Sequence, residues 1–428
     1  MDKIKELSNE SKYFEDLYDI FWKIHENDKI KKEHYSNISI GLFNTPCGGF
    51  GDIIVCKTFY DYLSQWYPEA KISICTTASN KYKDLGIDGN IYKLSEKEKD
   101  KSDTECIDYS KLVLKKKIKF DIMIAIPIIN KSFEIKQFRK LIPYANVFNT
   151  FSVSEYNGEF PPYTFPIGVG EDNLGLLFND FKYSQQKIIK KPYAMVYIQP
   201  SPEWGVHSNF CFISYLEMIC KKYRDKHSFF QIVIPEWISE EIMYNYDFKR
   251  KVINICNKHY DNISIVSKTE SIFLEGELSK RSSLVFRADI LPQKREIFIS
   301  LMKDSVNDIL VTGDQSLSDI ISCCNYKKVW YQIAPWKKGL AENLSKHLPN
   351  KYYGTFKTSC GTLKGIDTKI DWINFMKNYD FRINGRKRMD SILIGNYNYK
   401  KSKDLKKLLE IIEHSRFLET AQKKINKL

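Results

Sequence analysis

Residues 47–52 read Cys-Gly-Gly-Phe-Gly-Asp, a glycine-rich turn that ends on one carboxylate, Asp52. Glycine lacks Cβ and tolerates positive φ, so Gly49 and Gly51 let a ligand approach the backbone closely. A carboxylate beside that ligand can take a proton from an attacking hydroxyl. It can equally cap the helix that starts there. Far along the chain, Ile309-Leu310-Val311 runs into Thr312-Gly313-Asp314-Gln315-Ser316, and a helical pattern with Leu317, Ile320 and Ile321 follows. Free N–H groups at a helix start, together with the helix dipole, make an anion site suited to a diphosphate. Asp314 or Ser316 can also satisfy the first turn as caps, and both uses are compatible.

Other segments offer weaker chemistry. Phe286–Gln293 runs from an apolar strand into Pro292-Gln293, and the Gln293 amide supplies the paired donor and acceptor that a base edge needs. Trp204 and His207 follow a strand pattern; an aromatic ring stacks on sugars or bases, and an imidazole moves protons. A loop histidine is more often structural. Lys337 and Lys338 add positive charge after Tyr331–Trp336. The glycine loop is not G-x-G-x-x-G, and no acidic residue ends the following strand, so a dinucleotide site is poorly supported.

Elements that could position these groups are legible from patterning. Ile38–Phe43 reads as a strand, followed by the glycine loop and a helix to about Trp66. Further strands are predicted at Ala70–Thr77, Lys119–Ile128 and Ala145–Val153. A Pro- and Gly-rich stretch, Glu159–Phe181, marks an interdomain region. Strand patterns then resume at Tyr193–Pro200, Phe229–Trp237, Asn262–Val266, Ser282–Phe286, Asp308–Gly313 and Lys328–Pro335. Strands alternating with helical patterns predict βαβ units with parallel sheets. The expectation is an α/β chain with two Rossmann-like domains facing a cleft. Its parts are a helical extension over 1–36, Rossmann-like domains over 37–180 and 190–360 and a helical basic region over 361–428.

The order of these motifs resembles that of bacterial protein-arginine rhamnosyltransferases and, more distantly, heptosyltransferases. The stretches that carry the likeness are Gly51-Asp52-Ile53, Ile167–Leu177, Ile290–Gln293, Thr312–Leu317 and Val329–Trp336. The resemblance implies a GT-B fold and inverting sugar transfer from a nucleotide-diphosphate sugar. It places the catalytic carboxylate on Asp52 and a nucleobase contact on Gln293. Diphosphate and ribose contacts fall on Gly313, Asp314, Gln315 and Ser316. The base-sandwiching aromatics have no clean match: one position is Ile290, and Tyr197 serves only with a one-residue slip. The family's loop carries two acidic residues, whereas Gly48 stands at the first position here. A guanidinium stays charged and favours more than one carboxylate to hold it, while a hydroxyl asks for one base. The expected acceptor is therefore a hydroxyl, with arginine second. No D-x-D occurs in the chain, which fits metal-free transfer with no cofactor.

The chain has 428 residues, a net charge of +13, ten cysteines and seven histidines. No apolar run approaches the roughly 20 residues of a membrane span. The cysteines show no paired spacing or zinc pattern, so reduced thiols in a cytoplasmic protein are expected. The basic excess allows an anionic partner. It also keeps a nucleic-acid-binding protein and a DNA-base glycosyltransferase open as alternatives, beside a nucleotide-sugar epimerase.

Overall fold

The computed structural model describes residues 25–46, 51–87, 90–96, 112–114, 118–128, 145, 149–154, 163–180, 187–200, 208–277, 281–324, 326–333, 338–347, 353–358, 361–366 and 377–401. The chain forms two compact units, Met1–Ile167 with Phe381–Leu428, and Gly168–Asp380.

In the first unit, β1 (Ser39–Asn44) leads to α1 (Gly51–Trp66), β2 (Lys71–Thr76), α2 (Ser79–Asp84) and β3 (Ile91–Glu96). Then come β4 (Leu112–Leu114), β5 (Ile122–Ile128), β6 (Thr150–Ser154) and β7 (Thr164–Pro166). The sheet order is β4-β3-β2-β1-β5-β6-β7, and only the β3/β4 pair is antiparallel. From Ile40 to Asn44 every residue of β1 is buried, as a strand covered on both faces requires. On α1, Ile53, Cys56, Phe59 and Leu63 recur at helical spacing, and all are buried. After β1 the chain builds one side of the sheet through β2 and β3, then returns to the other side of β1 as β5. The strand order therefore reverses at β1/β5.

The second unit contains β8 (Tyr193–Tyr197), α3 (Ser208–Tyr223), β9 (Phe229–Val233), α4 (Glu236–Tyr244), α5 (Tyr246–Cys256) and β10 (Asn262–Val266). It continues with β11 (Ser271–Gly276), β12 (Ser283–Arg287), α6 (Arg295–Asp304), β13 (Asp308–Val311) and α7 (Asp314–Cys323). Then follow β14 (Lys328–Tyr331), α8 (Lys338–His347), β15 (Tyr353–Thr358) and β16 (Gly361–Ile366). The order is β11-β10-β12-β9-β8-β13-β14-β16-β15, with β10, β12, β9, β8, β13 and β14 mutually parallel. The reversal here lies at β8/β13. Behind it, α3 and α5 bury Phe212, Leu216, Phe248 and Val252 against Phe230, Phe286 and Leu310 of the sheet. The chain then re-enters the first unit as α9 (Phe381–Lys401), where the Phe381 ring meets Phe59 of α1 at 5.9 Å.

Two Rossmann-like α/β units are thus present, as the alternation of patterns predicts. Residues 361–428, expected to be helical, open instead with the strand β16; α9 supplies helix, and 402–428 lie outside the described residues. Of the expected helix over 1–36, residues 1–24 lie outside them too, and 32–34 form a single 3-10 turn. Among the described residues no helix is long and apolar enough to cross a membrane.

Candidate functional site

Ligands of open parallel sheets sit beyond the carboxyl ends of the strands, where the strand order reverses. Each unit has one such place, and each holds residues singled out in the sequence.

At β1/β5, Asn44 is the last residue of β1 and is fully buried. Its Nδ2 donates to the Ile126 carbonyl at 2.8 Å and to the Asp52 carbonyl at 3.3 Å, and its Oδ1 accepts from the Tyr82 hydroxyl at 2.7 Å. One amide therefore ties the end of β1 to β5, to α2 and to the first turn of α1. Asp52 sits in that first turn, half-buried, where the positive end of the helix favours a carboxylate. One turn further on, burial pushes the Cys56 thiol up to about 12, and the Asp52 charge pushes the same way. The thiol therefore stays protonated at neutral pH and is a poor nucleophile. Asp52 is the group in this turn suited to taking a proton.

At β8/β13 the chain leaves β13 through Thr312 and Gly313. Gly313 has φ 89° and ψ 136°, a region that side chains avoid, and as the N-cap it brings no side chain to cap the helix it starts. A Cβ on Gly313 would meet only the Ser316 hydroxyl, at 3.7 Å. The first turn of α7 thus presents N–H groups that the helix itself cannot satisfy. Asp314, in that turn, accepts from the Tyr331 hydroxyl at 2.9 Å through Oδ1.

The floor of this place is a buried polar network that sequence reasoning missed. Gln332, just past β14, is 1% exposed. Its Oε1 accepts from the Gln199 N–H at 3.1 Å, and its Nε2 donates to the Ser208 hydroxyl at 2.9 Å. The Thr312 hydroxyl donates to the Gln332 carbonyl at 3.1 Å, and Ser208 donates to the Gln199 carbonyl at 2.6 Å. The strand ends of β8, β13 and β14 and the start of α3 are thereby locked together. The only sequence signal was a glutamine directly after an apolar strand, and nothing local distinguishes such a residue from an exposed one.

The remaining expected residues fall as follows. Gln293 is exposed, and its Nε2 donates to the Ile290 carbonyl at 2.6 Å. Tyr197 ends β8 half-buried with its ring edge-on to Phe298 at 4.8 Å, and burial raises its hydroxyl pKa. Ser316 is half-buried beside Gly313. Gln315 turns inward: it is buried, and its Nε2 donates to the Leu177 carbonyl at 3.1 Å and to Asp319 at 2.9 Å. Gly51 is exposed at the start of α1. Gly49, Trp204, His207 and Lys337 lie outside the described residues, as does the side chain of Lys338. In the Phe286–Gln293 stretch, Arg287 grips Asp289 with two bonds of 2.7 Å, and this pairing holds the guanidinium above its ordinary pKa.

No protein-family model and no curated protein matches the chain. Among solved structures, it is similar to a glycosyltransferase from Rickettsia africae ESF-5 at 11% identity and TM-score 0.39, covering 89% of this chain and 99% of that one. It is also similar to an alpha-glucosyltransferase in complex with UDP and a 13-mer DNA, at 10% identity and TM-score 0.34, over 88% and 100%. A third is an alpha,alpha-trehalose-phosphate synthase (UDP-forming) from Burkholderia vietnamiensis, at 9% identity and TM-score 0.30, over 87% and 100%. At that level of overlap the three carry no argument about this chain.

Proposed function

We propose that this chain is a metal-independent inverting glycosyltransferase that moves a sugar from a nucleotide-diphosphate sugar to a hydroxyl acceptor. The β13–α7 turn carries this assignment. Gly313 at φ 89°, a ten-residue helix that starts on this glycine, and a carboxylate held by Tyr331 stand together at a strand-order reversal. Such a turn suits a diphosphate on the helix N–H groups and a ribose hydroxyl on Asp314. Gln293 and Tyr197 serve the base, and Ser316 the phosphates. Gly49, Gly51, Trp204 and His207 belong to the acceptor side.

In the reaction, the acceptor oxygen forms a bond to the anomeric carbon while its proton passes to the Asp52 carboxylate. The bond from that carbon to the diphosphate oxygen breaks, and its electron pair leaves with the nucleoside diphosphate. Attack from the face opposite the leaving group inverts the anomeric centre. The dipole and N–H groups of α7 stabilise the charge that develops on the diphosphate. A lone carboxylate in the α1 turn suits a hydroxyl better than a guanidinium, which must be held as well as deprotonated.

The test pairs binding with transfer. UDP, TDP and GDP, and their sugars, are screened by thermal shift, since binding to the folded state raises the melting temperature. Productive donors are then offered with hydroxyl acceptors. Asp52→Asn is expected to bind donor as the wild type does while transfer falls by roughly 10²- to 10⁴-fold, the usual worth of a positioned base. Wild-type transfer by the variant rules out the role of Asp52. Transfer to an arginine peptide alone reverses the acceptor assignment, and isomerisation of donor without acceptor replaces the activity with epimerisation.

A further inference from the structure

Behind the β13–α7 turn lies a second polar cluster that the transfer chemistry does not use. Asp319, one turn along α7 from Gln315, is 4% exposed at its side chain. Arg295, at the start of α6, donates to it twice, from Nη2 at 2.8 Å and from Nε at 3.2 Å. The Nε2 of Gln315 donates to Asp319 Oδ1 at 2.9 Å, and Asn179 Nδ2 donates to the same oxygen. Gln315 also reaches the Leu177 carbonyl, and the Ser322 hydroxyl accepts from the Asn179 N–H at 3.5 Å. One carboxylate thus gathers α6, the first two turns of α7 and Asn179, and Gln315 adds Leu177.

An ion pair this buried is weak evidence for stability, because desolvation offsets much of the attraction. Its plainer effect is geometric. A bidentate guanidinium–carboxylate pair fixes direction as well as distance, and Gln315 lies in the very turn whose N–H groups would face the donor. Gln315 therefore cannot turn its amide toward a ligand without abandoning both acceptors. Asp319 would keep Arg295 and Asn179 but lose one of its donors, and the Leu177 carbonyl would lose this one.

We infer that Gln315, Asp319 and Arg295 are positioning residues that set the angle of the α7 N-terminus for the donor diphosphate, a role that rests on the function proposed above. Gln315 acts on the donor through the helix rather than by touching it. The consequence is a split: loosening the cluster weakens donor binding and leaves the acceptor untouched.

Calorimetric titration of UDP, TDP and GDP into wild type, Asp319→Asn and Gln315→Met, below their melting temperatures, tests this. Asp319→Asn keeps the shape and loses the charge; Gln315→Met keeps the length, loses both hydrogen bonds and disturbs the ion pair least. Both are expected to lower affinity for the best nucleoside diphosphate about tenfold and to raise donor KM alike, with acceptor KM within twofold of wild type. A lowered melting temperature with unchanged nucleotide affinity in both variants makes the cluster merely structural and overturns the inference. If Asp319→Asn does not fold, Gln315→Met alone decides in the same way. If the wild type binds no nucleoside diphosphate, the proposed function itself has failed, and the positioning role falls with it.

Discussion

In the first unit a side chain ties the place where strand order reverses; in the second, a backbone turn shapes it. Asn44 spends both ends of its amide on β5, α1 and α2, and Asp52 sits in the first turn of α1 that it holds. At β8/β13 the equivalent locking is done by Gln332, while α7 starts on Gly313, which has no side chain to offer as a cap. The same scaffold thus offers a carboxylate in one unit and a set of N–H donors in the other.

The amino-terminal edges of the sheets differ as well. In the first unit Asp121 accepts from the Ser39 N–H at 2.8 Å and pairs with Lys400 at a partly exposed site. In the second, Asp308 is fully buried and accepts from Tyr223, Lys222 and Trp330, while Lys327 is buried against the Ser305 and Val306 carbonyls.

The largest effect in this comparison is expected at Asn44. Asn44→Ala takes one partner from the Tyr82 hydroxyl and from each of the Ile126 and Asp52 carbonyls, and a buried polar group left unsatisfied costs about 1–3 kcal/mol. Denaturant unfolding should show a loss of about 3 kcal/mol, and a loss below about 0.5 kcal/mol would mean the turn is not held by this amide. Gly313→Ala comes next. The alanine must adopt φ 89°, costing about 1–2 kcal/mol. Because the strain falls in the turn proposed to hold the donor, nucleotide affinity should drop more than the modest loss of stability suggests. Equal affinity by calorimetry would remove the turn from the donor site.

A further effect is expected at Lys327, and it depends on pH. Burial lowers its pKa to about 8, although Cys324, Asp304 and Asp308 pull the other way. The folded chain therefore releases this proton before the unfolded chain, whose lysine titrates near 10.4. Between about pH 8 and 10 the unfolded state binds more protons, so stability linked to this group rises with pH. The stability of wild type relative to Lys327→Met should climb across that window and stay flat below it. A flat difference throughout would show that the buried amine does not titrate there.

Much of this was legible in the chain itself. The strands from Ile38, Tyr193, Phe229 and Asp308 follow from apolar runs, and the loops carrying Asp52 and Gly313 from glycine between strand and helix patterns. Other strands were not legible. β4 is three residues beside a run of lysines, too short to show a period, and β11 lies largely exposed at a sheet edge, without the burial that makes a pattern. β15 and β16 alternate weakly in sequence and pair antiparallel with each other. Gln315 shows the limit at the site: its place in the motif suggested a ligand contact, and its orientation turns it onto Asp319 and Leu177 instead.

The sequence by itself determined the alternation of strands and helices, the two α/β halves and the loops on which chemistry could be placed, because periodicity and glycine act locally. Tertiary structure alone decided where the strand order reverses, that Asn44 and Gln332 lock those reversals, and that Asp319 with Arg295 braces the helix behind Gly313. Each of these is a partnership between residues far apart in the chain. No local pattern encodes it, because a buried amide or carboxylate has its partners chosen by the packing that surrounds it.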